Sequence, residues 1–262
     1  MDEVNKTLYI PLFGKSLVSK KGIILKDIKA EEIWAKEHFE LKGKSKSKWL
    51  AYFMAMRAKV FDDWLTKLIN KSDSSTVILH IGCGMDSRIE RVGTNGHLWY
   101  DIDFEDVIQT RKKYYTETEY YKMIIGDLRE KAWLQKIPYN KNAIIILEGI
   151  SMYLTPLEII ESFSAIGEHF SSVNIIMDCY TKFAAKISKY KNPINDVGVT
   201  KTYGIDNPIE IIKETKFRYL TEHDMTPSYL IKELNGVERF IFQKVFAGNF
   251  SKKMYRIYEY VK

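Results

Sequence analysis

Short apolar segments alternate with amphipathic ones through the middle of the chain. The apolar segments lack the one-sided alternation of a half-exposed strand; they are TVILHI (76–81), HLWYDID (97–103), YYKMIIGD (120–127), NAIIILEG (142–149) and SVNIIMDCY (172–180). Segments with helical spacing separate them. Apolar strands that alternate with helices are typical of a parallel sheet covered on both faces. We therefore predict an α/β domain whose crossovers are right-handed.

The two ends of the chain follow other patterns. Before the first strand, KAEEIWAKEHFEL (29–41) and WLAYFMAMRAKVFDDWLTKLI (49–69) place apolar side chains three and four residues apart, as amphipathic helices do. After FRYLTEHD (217–224), we expect a helix around TPSYLIKEL (226–234). Two late extended segments, RFIFQKVFAGNF (239–250) and KMYRIYEYV (253–261), then predict an antiparallel hairpin at the sheet edge.

The composition fits one large intracellular domain. With 262 residues, 45% of them hydrophobic, and no repeat or linker, the chain can bury a complete core. Two cysteines, Cys83 and Cys179, are too few for a disulfide framework. The first residues lack a signal-peptide pattern, and the longest apolar run, AIIILEGISMYL (143–154), is much shorter than a membrane span. We expect a cytoplasmic protein with no membrane partner.

The net charge of +6 raises the question of a nucleic-acid partner, since clustered Lys and Arg bind phosphates. One cluster stands out, KGKSKSK (42–48), and the other basic residues are spread among 34 acidic ones. Such a run is typical of a solvated loop. A nucleic-acid partner is therefore the minority hypothesis, and a lid over a binding site is another role open to this loop.

Polar residues follow the ends of the first four predicted strands. In an open α/β sheet, ligands bind beyond the carboxyl ends of the strands. Two glycines follow the first strand and acidic residues end the next three: Gly82, Gly84, Asp101, Asp103, Asp127 and Glu148. The glycines let a ligand approach the backbone at the head of a helix. The carboxylates suit a ligand rich in hydroxyl and amino donors.

The glycine loop departs from the pattern of dinucleotide-binding proteins. In HIGCGMDSR (80–88), Ser87 stands where G-x-G-x-x-G has its third glycine, and the charge of Asp86 would repel a phosphate. A cofactor without phosphates fits better. S-adenosylmethionine is such a cofactor, with its ribose, adenine, amino-acid end and cationic sulfonium. An NAD-dependent oxidoreductase remains an alternative, as does a tight turn that binds nothing.

Each carboxylate has a place on such a cofactor and also a structural alternative. Asp103 or Asp101 would accept both ribose hydroxyls, and spacing does not choose between them because alternate residues of a strand point the same way. Their alternative role is a helix N-cap. Asp127 and Leu128 would meet the adenine, or Asp127 would cap the next helix. Glu148 lies in the most apolar segment, so it needs a positive partner, either the cofactor's ammonium or a cation of the protein.

The motifs HIGCGMDSRIERV, WYDIDFEDVIQTRKK, GDL and LEGISMYLTP together resemble those of the leucine carboxyl methyltransferase family, including its bacterial branch of polyketide-type O-methyltransferases. The resemblance covers about residues 50–156 and touches SKKGIILKDIKA nearer the N-terminus. The family usually has Asp-x-Pro where this chain has Glu105 in the third position. No family motif matches beyond residue 180, and family specificity for the acceptor lies largely there and in the N-terminal helices.

The resemblance implies a Rossmann-like class I methyltransferase with a mostly parallel seven-stranded sheet, an antiparallel C-terminal edge hairpin and a helical N-terminal cap. This single domain would comprise the cap (1–72), a cofactor-binding core (73–180) and a substrate-side, sheet-completing part (181–262). The implied contacts with S-adenosylmethionine are Asp103 to the ribose, Asp127 and Leu128 to the adenine, Glu148 to the amino group, and Gly82, in one loop with Gly84, to the methionine portion. Arg57 would bind the methionine carboxylate, although its own pattern is typical of a helix-surface residue.

We expect methyl transfer to a carboxylate or a hydroxyl of a small molecule, and no metal site. An ionised carboxylate needs no general base, whereas a hydroxyl does. His223 is the better candidate base, because His80 and His97 lie inside predicted strands. Tyr153 is a candidate neighbour of the reacting methyl or a core residue, and Cys83 lacks a nearby base. A tRNA-modifying carboxyl methyltransferase of the same family and a non-catalytic binding module are the remaining alternatives.

Overall fold

The computed structural model describes residues 7–188 and 201–262, and these residues contain seven strands. The strands are β1 (Val77–Ile81), β2 (Leu98–Asp103), β3 (Tyr121–Ile125), β4 (Asn142–Leu147), β5 (Ser172–Tyr180), β6 (Arg218–His223) and β7 (Tyr255–Val261). The α-helices are α1 (Tyr9–Lys21), α2 (Ile28–Glu37), α3 (Lys48–Ile69), α4 (Arg88–Val92), α5 (Glu105–Arg111), α6 (Pro156–His169), α7 (Lys182–Ser188), α8 (Ser228–Ile231), α9 (Gly236–Val245) and α10 (Asn249–Met254). Short 3-10 helices occupy Gly43–Lys46, Ala132–Lys136 and Ser151–Tyr153.

The strands form one sheet in the order β3-β2-β1-β4-β5-β7-β6. Strands β1 to β5 are parallel, β7 runs antiparallel to β5, and β6 runs antiparallel to β7. In β1, Leu79 lies opposite Tyr100 of β2 on one side and Ile145 of β4 on the other. The strand order reverses between β1 and β4, which is where open α/β sheets bind ligands. The predicted mostly parallel, seven-stranded sheet is confirmed.

Both faces of the sheet are covered at its inner strands, which explains why β1 and β4 are buried in almost every position. On β1, Ile78 belongs to the core on one face, and Val77, Leu79 and Ile81 belong to the core on the other. The core around Ile78 includes the apolar side chains of α1, α2 and α3, so the N-terminal helices form one covering layer. A strand buried on both faces has no polar side to alternate with. No helix of the described ranges is both long enough and apolar enough to cross a membrane.

The predicted C-terminal hairpin has the wrong first strand. Residues 239–250 are not extended, because α9 and α10 occupy most of them. The side chain of Asn235 accepts the Glu238 N–H at 3.0 Å and so caps the start of α9, while Phe242 is the buried residue of that helix. The cap and the single buried face favour a helix over a strand. The antiparallel partner of β7 is β6, where Tyr219 lies opposite Tyr260.

Candidate functional site

A cavity of about 680 Å³ opens at the carboxyl ends of β1 to β4. Eight of the residues that the sequence or the resemblance indicated line it, whereas Asp101 and His223 do not; the eight are Arg57, Gly82, Gly84, Asp103, Asp127, Leu128, Glu148 and Tyr153. They come together because the carboxyl ends of parallel strands meet at one edge of the sheet. A cavity of this size matches those that hold small organic ligands.

Two glycines shape the loop between β1 and α4. Gly82 has a φ of 66° and Gly84 a φ of 51°, both in the left-handed region that favours glycine. A Cβ at Gly82 would lie 2.2 Å from Cγ2 of Ile150, so this position has no room for a side chain. The Gly84 N–H donates to Oδ2 of Asp103 at 2.7 Å. The glycines therefore let the loop approach β2 and leave the floor of the cavity bare.

Asp101 is a structural residue. It is fully buried and accepts hydrogen bonds from Trp99 Nε1 at 2.8 Å, Tyr121 Oη at 2.6 Å and Arg111 Nη2. Although burial opposes ionisation, the Arg111 guanidinium lowers the pKa of Asp101 to about 2. Arg111 also donates to the backbone oxygen of Gly84 at 2.9 Å. This ion pair therefore ties β2 and α5 to the glycine loop.

Asp103 faces the cavity. Its Oδ1 accepts the Phe104 N–H at 2.8 Å, and its Oδ2 accepts the Gly84 N–H. Burial raises the pKa of this carboxyl to about 6, against the opposing effect of the two backbone hydrogen bonds. Each carboxylate oxygen has further lone pairs for a ligand's hydroxyl groups. Of the two aspartates that spacing left as alternatives, Asp103 is the one that lines the cavity.

Glu148 lies between two arginines at the end of β4. Its Oε1 is 3.1 Å from Arg57 Nε, and its Oε2 accepts a hydrogen bond from Arg88 Nη2. Arg57, on α3, is only 4% exposed, so it is not the helix-surface residue that its pattern alone suggested. Its Nη1 donates to Asp178 Oδ2 at 2.8 Å. Burial opposes ionisation of Glu148, but the two guanidinium groups outweigh it and lower the pKa of this carboxyl.

Lys15 and Arg88 are two further buried cations near this site, and sequence reasoning gave neither a role. Lys15, on α1, lines the cavity, is 2% exposed and lies 3.1 Å from Asp86 Oδ2. Arg88 lies 2.7 Å from Asp62 Oδ1, beneath the glycine loop. A lone lysine among apolar residues in IPLFGKSL (10–17) was the available signal, since a lysine is rarely buried without a partner.

Asp127 and Leu128 border the cavity after β3. Asp127 Oδ1 accepts the Arg129 N–H at 2.9 Å, and the Arg129 guanidinium donates to both carboxylate oxygens. Burial raises the pKa of Asp127, but the hydrogen bonds from Arg129 outweigh this and leave it below the usual value. Leu128 is 8% exposed and offers an apolar surface beside the carboxylate. This end of the cavity therefore presents both a hydrogen-bond acceptor and an apolar face.

The remaining walls are mainly aromatic and apolar. They come from the start of α3, from the 3-10 helix after β4, from the segment around α10 and from the ends of β5 and β7: Trp49, Leu50, Phe53, Tyr153, Tyr180, Phe246, Phe250, Met254 and Tyr255. Trp49 stacks on Phe246, with ring centroids 5.3 Å apart and planes 17° apart. Lys44 and Ser47 of the basic segment 42–48 also line the cavity. That segment folds into a short 3-10 helix with Ser45 buried, so it is more than a solvated loop.

His223, His80 and Cys83 are each poorly placed to act as a catalytic base or nucleophile. His223 is not part of the cavity lining, and its Nε2 lies 2.7 Å from Glu259 Oε2. His80 lines the cavity, but its Nε2 lies 3.0 Å from Arg88 Nη1 and therefore accepts a hydrogen bond from that guanidinium. Burial raises the pKa of the Cys83 thiol well above its usual value.

Comparison with known proteins identifies the family of this chain. The family model described as leucine carboxyl methyltransferase matches residues 3–167. The tetracenomycin polyketide synthesis O-methyltransferase TcmP of Streptomyces glaucescens is 25% identical over 241 residues, which cover 91% of this chain and 89% of that protein. The S-adenosyl-L-methionine-dependent methyltransferase dpfgK of Gibberella zeae is 29% identical over 182 residues, which cover 64% of this chain and 61% of that protein.

Solved structures show the same fold. The magnesium protoporphyrin IX methyltransferase of Synechocystis PCC 6803, solved with bound S-adenosylhomocysteine, has a TM-score of 0.53 at 12% identity, covering 88% of this chain and 93% of its own. The S-adenosylmethionine-dependent methyltransferase of Mesorhizobium loti has a TM-score of 0.52 at 10% identity, covering 77% and 98%. The oxidoreductase alternative is therefore wrong. This chain belongs to the leucine carboxyl methyltransferase family and is an enzyme whose cofactor is S-adenosylmethionine.

Proposed function

We propose that this enzyme transfers the methyl group of S-adenosylmethionine to a carboxylate oxygen of a small, largely apolar molecule. The observation that carries the proposal is the lining of the cavity. Its apolar walls supply aromatic surface, and His80, the histidine among the lining residues, already accepts a hydrogen bond from Arg88 at Nε2, so that nitrogen is not a free base. A carboxylate is already ionised at neutral pH and needs no such base.

The residues present fit the cofactor. Asp103 would accept the ribose hydroxyls, Asp127 and Leu128 would meet the adenine, and Glu148 would take the ammonium, since each offers an acceptor or an apolar face to the cavity. Gly149 supports the fit, because a Cβ there would lie 3.3 Å from Nη2 of Arg57 and would crowd that guanidinium.

Arg57 and Lys15 would hold the cofactor's carboxylate. Arg57 offers parallel N–H donors for it, and Lys15 adds a second positive charge. Gly82 and Gly84 would keep side chains away from the methionine portion. When bound, the cofactor supplies a methyl group on a cationic sulfur, which makes the methyl carbon electrophilic.

The chain's own residues would then align the acceptor and exclude water. Tyr153 and Tyr255 lie in the wall near Arg57, and burial raises the pKa of both phenols. Phenols that stay protonated donate hydrogen bonds rather than remove protons, and they suit an acceptor that arrives as an anion. Their faces also suit a cationic neighbour. Lys44 at the cavity wall would attract an anionic acceptor.

The relatives support oxygen as the methylated atom, since the printed name of the Streptomyces protein is that of an O-methyltransferase of polyketide synthesis. Methyl transfer to a hydroxyl is the second candidate, and His80 is the imidazole in the lining that it would have to use. Because Arg88 already donates to His80 Nε2, we place the carboxylate first. We also propose a small-molecule partner, a cytoplasmic location and a division of the chain into 1–72, 73–180 and 181–262.

A screen with S-adenosylmethionine labelled in its methyl group tests the proposal. The panel contains aromatic and aliphatic carboxylic acids, the matching phenols and alcohols, and bulk tRNA. A methyl ester releases its label in mild alkali, whereas a methyl ether keeps it. We expect alkali-labile label on apolar carboxylic acids. Alkali-stable label on the phenols would favour the second candidate, and labelled tRNA would favour a nucleic-acid acceptor.

A further inference from the structure

Asp178 is a buried carboxylate that pairs with Arg57. It lies on β5 and is fully buried, beside Arg57 of the cavity wall. Its Oδ2 accepts Arg57 Nη1 at 2.8 Å, and its Oδ1 accepts the Gly149 N–H at 2.6 Å. The Ser151 hydroxyl donates to the backbone oxygen of Asp178 at 2.5 Å. Both carboxylate oxygens are therefore fixed by donors from different elements.

Arg57 stands between two carboxylates that hold different parts of its guanidinium. Asp178 takes Nη1, and Glu148 takes Nε at 3.1 Å. In the described part of the chain, Nη2 of Arg57 makes no hydrogen bond. Nε and Nη2 form the edge of a guanidinium that grips a carboxylate with two parallel hydrogen bonds. The contact with Asp178 leaves that edge to Glu148 or to a ligand.

Among the described residues, Glu148 has a second cation and Asp178 does not. Glu148 also pairs with Arg88, so Glu148 can turn toward a ligand's ammonium and stay neutralised. The cation paired with Asp178 is Arg57. Breaking one partner out of a buried ion pair leaves an uncompensated charge, which is strongly unfavourable. Asp178 is therefore the carboxylate that keeps its contact with Arg57 when Glu148 changes partner.

We propose that Asp178 is a positioning residue, which holds Arg57 by Nη1 so that the Nε–Nη2 edge receives the cofactor's carboxylate. This inference rests on the proposed contacts of Arg57 and Glu148 with the amino-acid end of the cofactor. Without Asp178, Arg57 is free to pair fully with Glu148. That internal pair would occupy the groups for the ligand's carboxylate and for its ammonium at the same time.

The test compares three ligands by calorimetry on the wild type and on Asp178→Asn. The ligands are S-adenosylhomocysteine, its decarboxylated analogue, and 5′-methylthioadenosine, which lacks the amino-acid end. We expect Asp178→Asn to weaken S-adenosylhomocysteine about tenfold to a hundredfold, as for one charged hydrogen bond. The affinity for 5′-methylthioadenosine stays unchanged, and the decarboxylated analogue loses much less than S-adenosylhomocysteine.

Equal weakening of all three ligands by Asp178→Asn would overturn the inference, because Asp178 would then serve the fold alone. No weakening of any ligand would overturn it as well. If Asp178→Asn does not fold, Asp178→Ser, which still offers an oxygen to the Gly149 N–H, takes its place in the same comparison. A wild type that binds S-adenosylhomocysteine no better than 5′-methylthioadenosine would instead contradict the proposed contacts of Arg57 and Glu148.

Discussion

Asp101 and Asp103 lie two residues apart on β2, yet Asp101 is sealed under Arg111 while Asp103 lines the cavity. The difference comes from the length of the strand. Asp103 is the last residue of β2, where the chain turns into α5, whereas Asp101 lies opposite His80 within the sheet. We therefore propose separable roles for the two carboxylates, Asp101 in stability and Asp103 in ligand binding.

The first prediction separates these two roles with matched substitutions. Asp103→Asn keeps the shape of the side chain but removes the charge and part of the accepting capacity, so S-adenosylhomocysteine should bind about tenfold to a hundredfold more weakly. Asp101→Asn should instead lower the free energy of unfolding by about 3 kcal/mol or more, because Arg111 keeps a buried charge without its partner. Calorimetry and urea denaturation of both variants measure the two effects. Loss of affinity in Asp101→Asn at full occupancy of the folded state would contradict the assignment.

The second prediction concerns pH. In the free protein the pKa of Asp103 is about 6. Ribose hydroxyls donate to the ionised carboxylate, so binding favours the charged form and lowers the pKa of Asp103 below that value. Affinity for S-adenosylhomocysteine should therefore be level above about pH 7 and should fall as pH drops below about 6, by up to about tenfold per pH unit. Affinity in Asp103→Asn should lose this dependence; a wild-type affinity that rises on acidification would contradict it.

The third prediction concerns the bare floor of the cavity. Gly82→Ala adds a Cβ that would lie 2.2 Å from Cγ2 of Ile150, at a φ of 66°. Strain and overlap together should lower the free energy of unfolding by about 2–4 kcal/mol. Gly22→Ala is the matched control, because Gly22 has the same φ of 66° and open space around it. The control should lose only about 1 kcal/mol in urea denaturation. Equal losses would show that the contact with Ile150 is unimportant.

The fourth prediction concerns the aromatic wall. Trp49→Ala removes the ring that stacks on Phe246 and should raise the KM for a carboxylic acid acceptor about tenfold, while the affinity for S-adenosylhomocysteine is kept. Trp49→Phe retains an aromatic face and should lie near the wild type. Steady-state kinetics with the best acceptor of the labelled-methyl screen measures the KM. If Trp49→Ala loses cofactor affinity and leaves the acceptor KM unchanged, Trp49 contacts the cofactor and not the acceptor, and the prediction is wrong.

The sheet and the ends of its strands could be predicted because each depends on local sequence. Strand β1 is buried in every position, and Gly82, Asp103 and Glu148 stand where such buried strands end. Parallel topology then brings these ends together without further information. The predicted first strand of the C-terminal hairpin was wrong because the apolar run 239–250 fits both the helical and the strand spacing, and the cap from Asn235 decides for a helix.

The partners of the charged residues could not be predicted, since they are far apart in the chain. Arg57 meets Asp178 across 121 positions and Glu148 across 91. The choice between Asp101 and Asp103 likewise depends on Arg111, which reaches back from the end of α5. Lys15 was missed because a single lysine in an apolar helix has no sequence signal for the acid it meets. Local patterns therefore located the cavity, and long-range ion pairs decide what its walls present.

Titration of S-adenosylhomocysteine into the wild type and into the double variant Asp103→Asn/Glu148→Gln is the decisive test of whether this cavity binds the cofactor through these two carboxylates. Asp103 and Glu148 lie at the ends of β2 and β4, so the double variant alters two separate contacts to one ligand. We expect saturable binding to the wild type. In the double variant we expect an affinity at least about a hundredfold lower, with the folded state retained at the temperature of the titration. Wild-type affinity in a folded double variant, or a wild type that binds NADH and ignores S-adenosylhomocysteine, would contradict it.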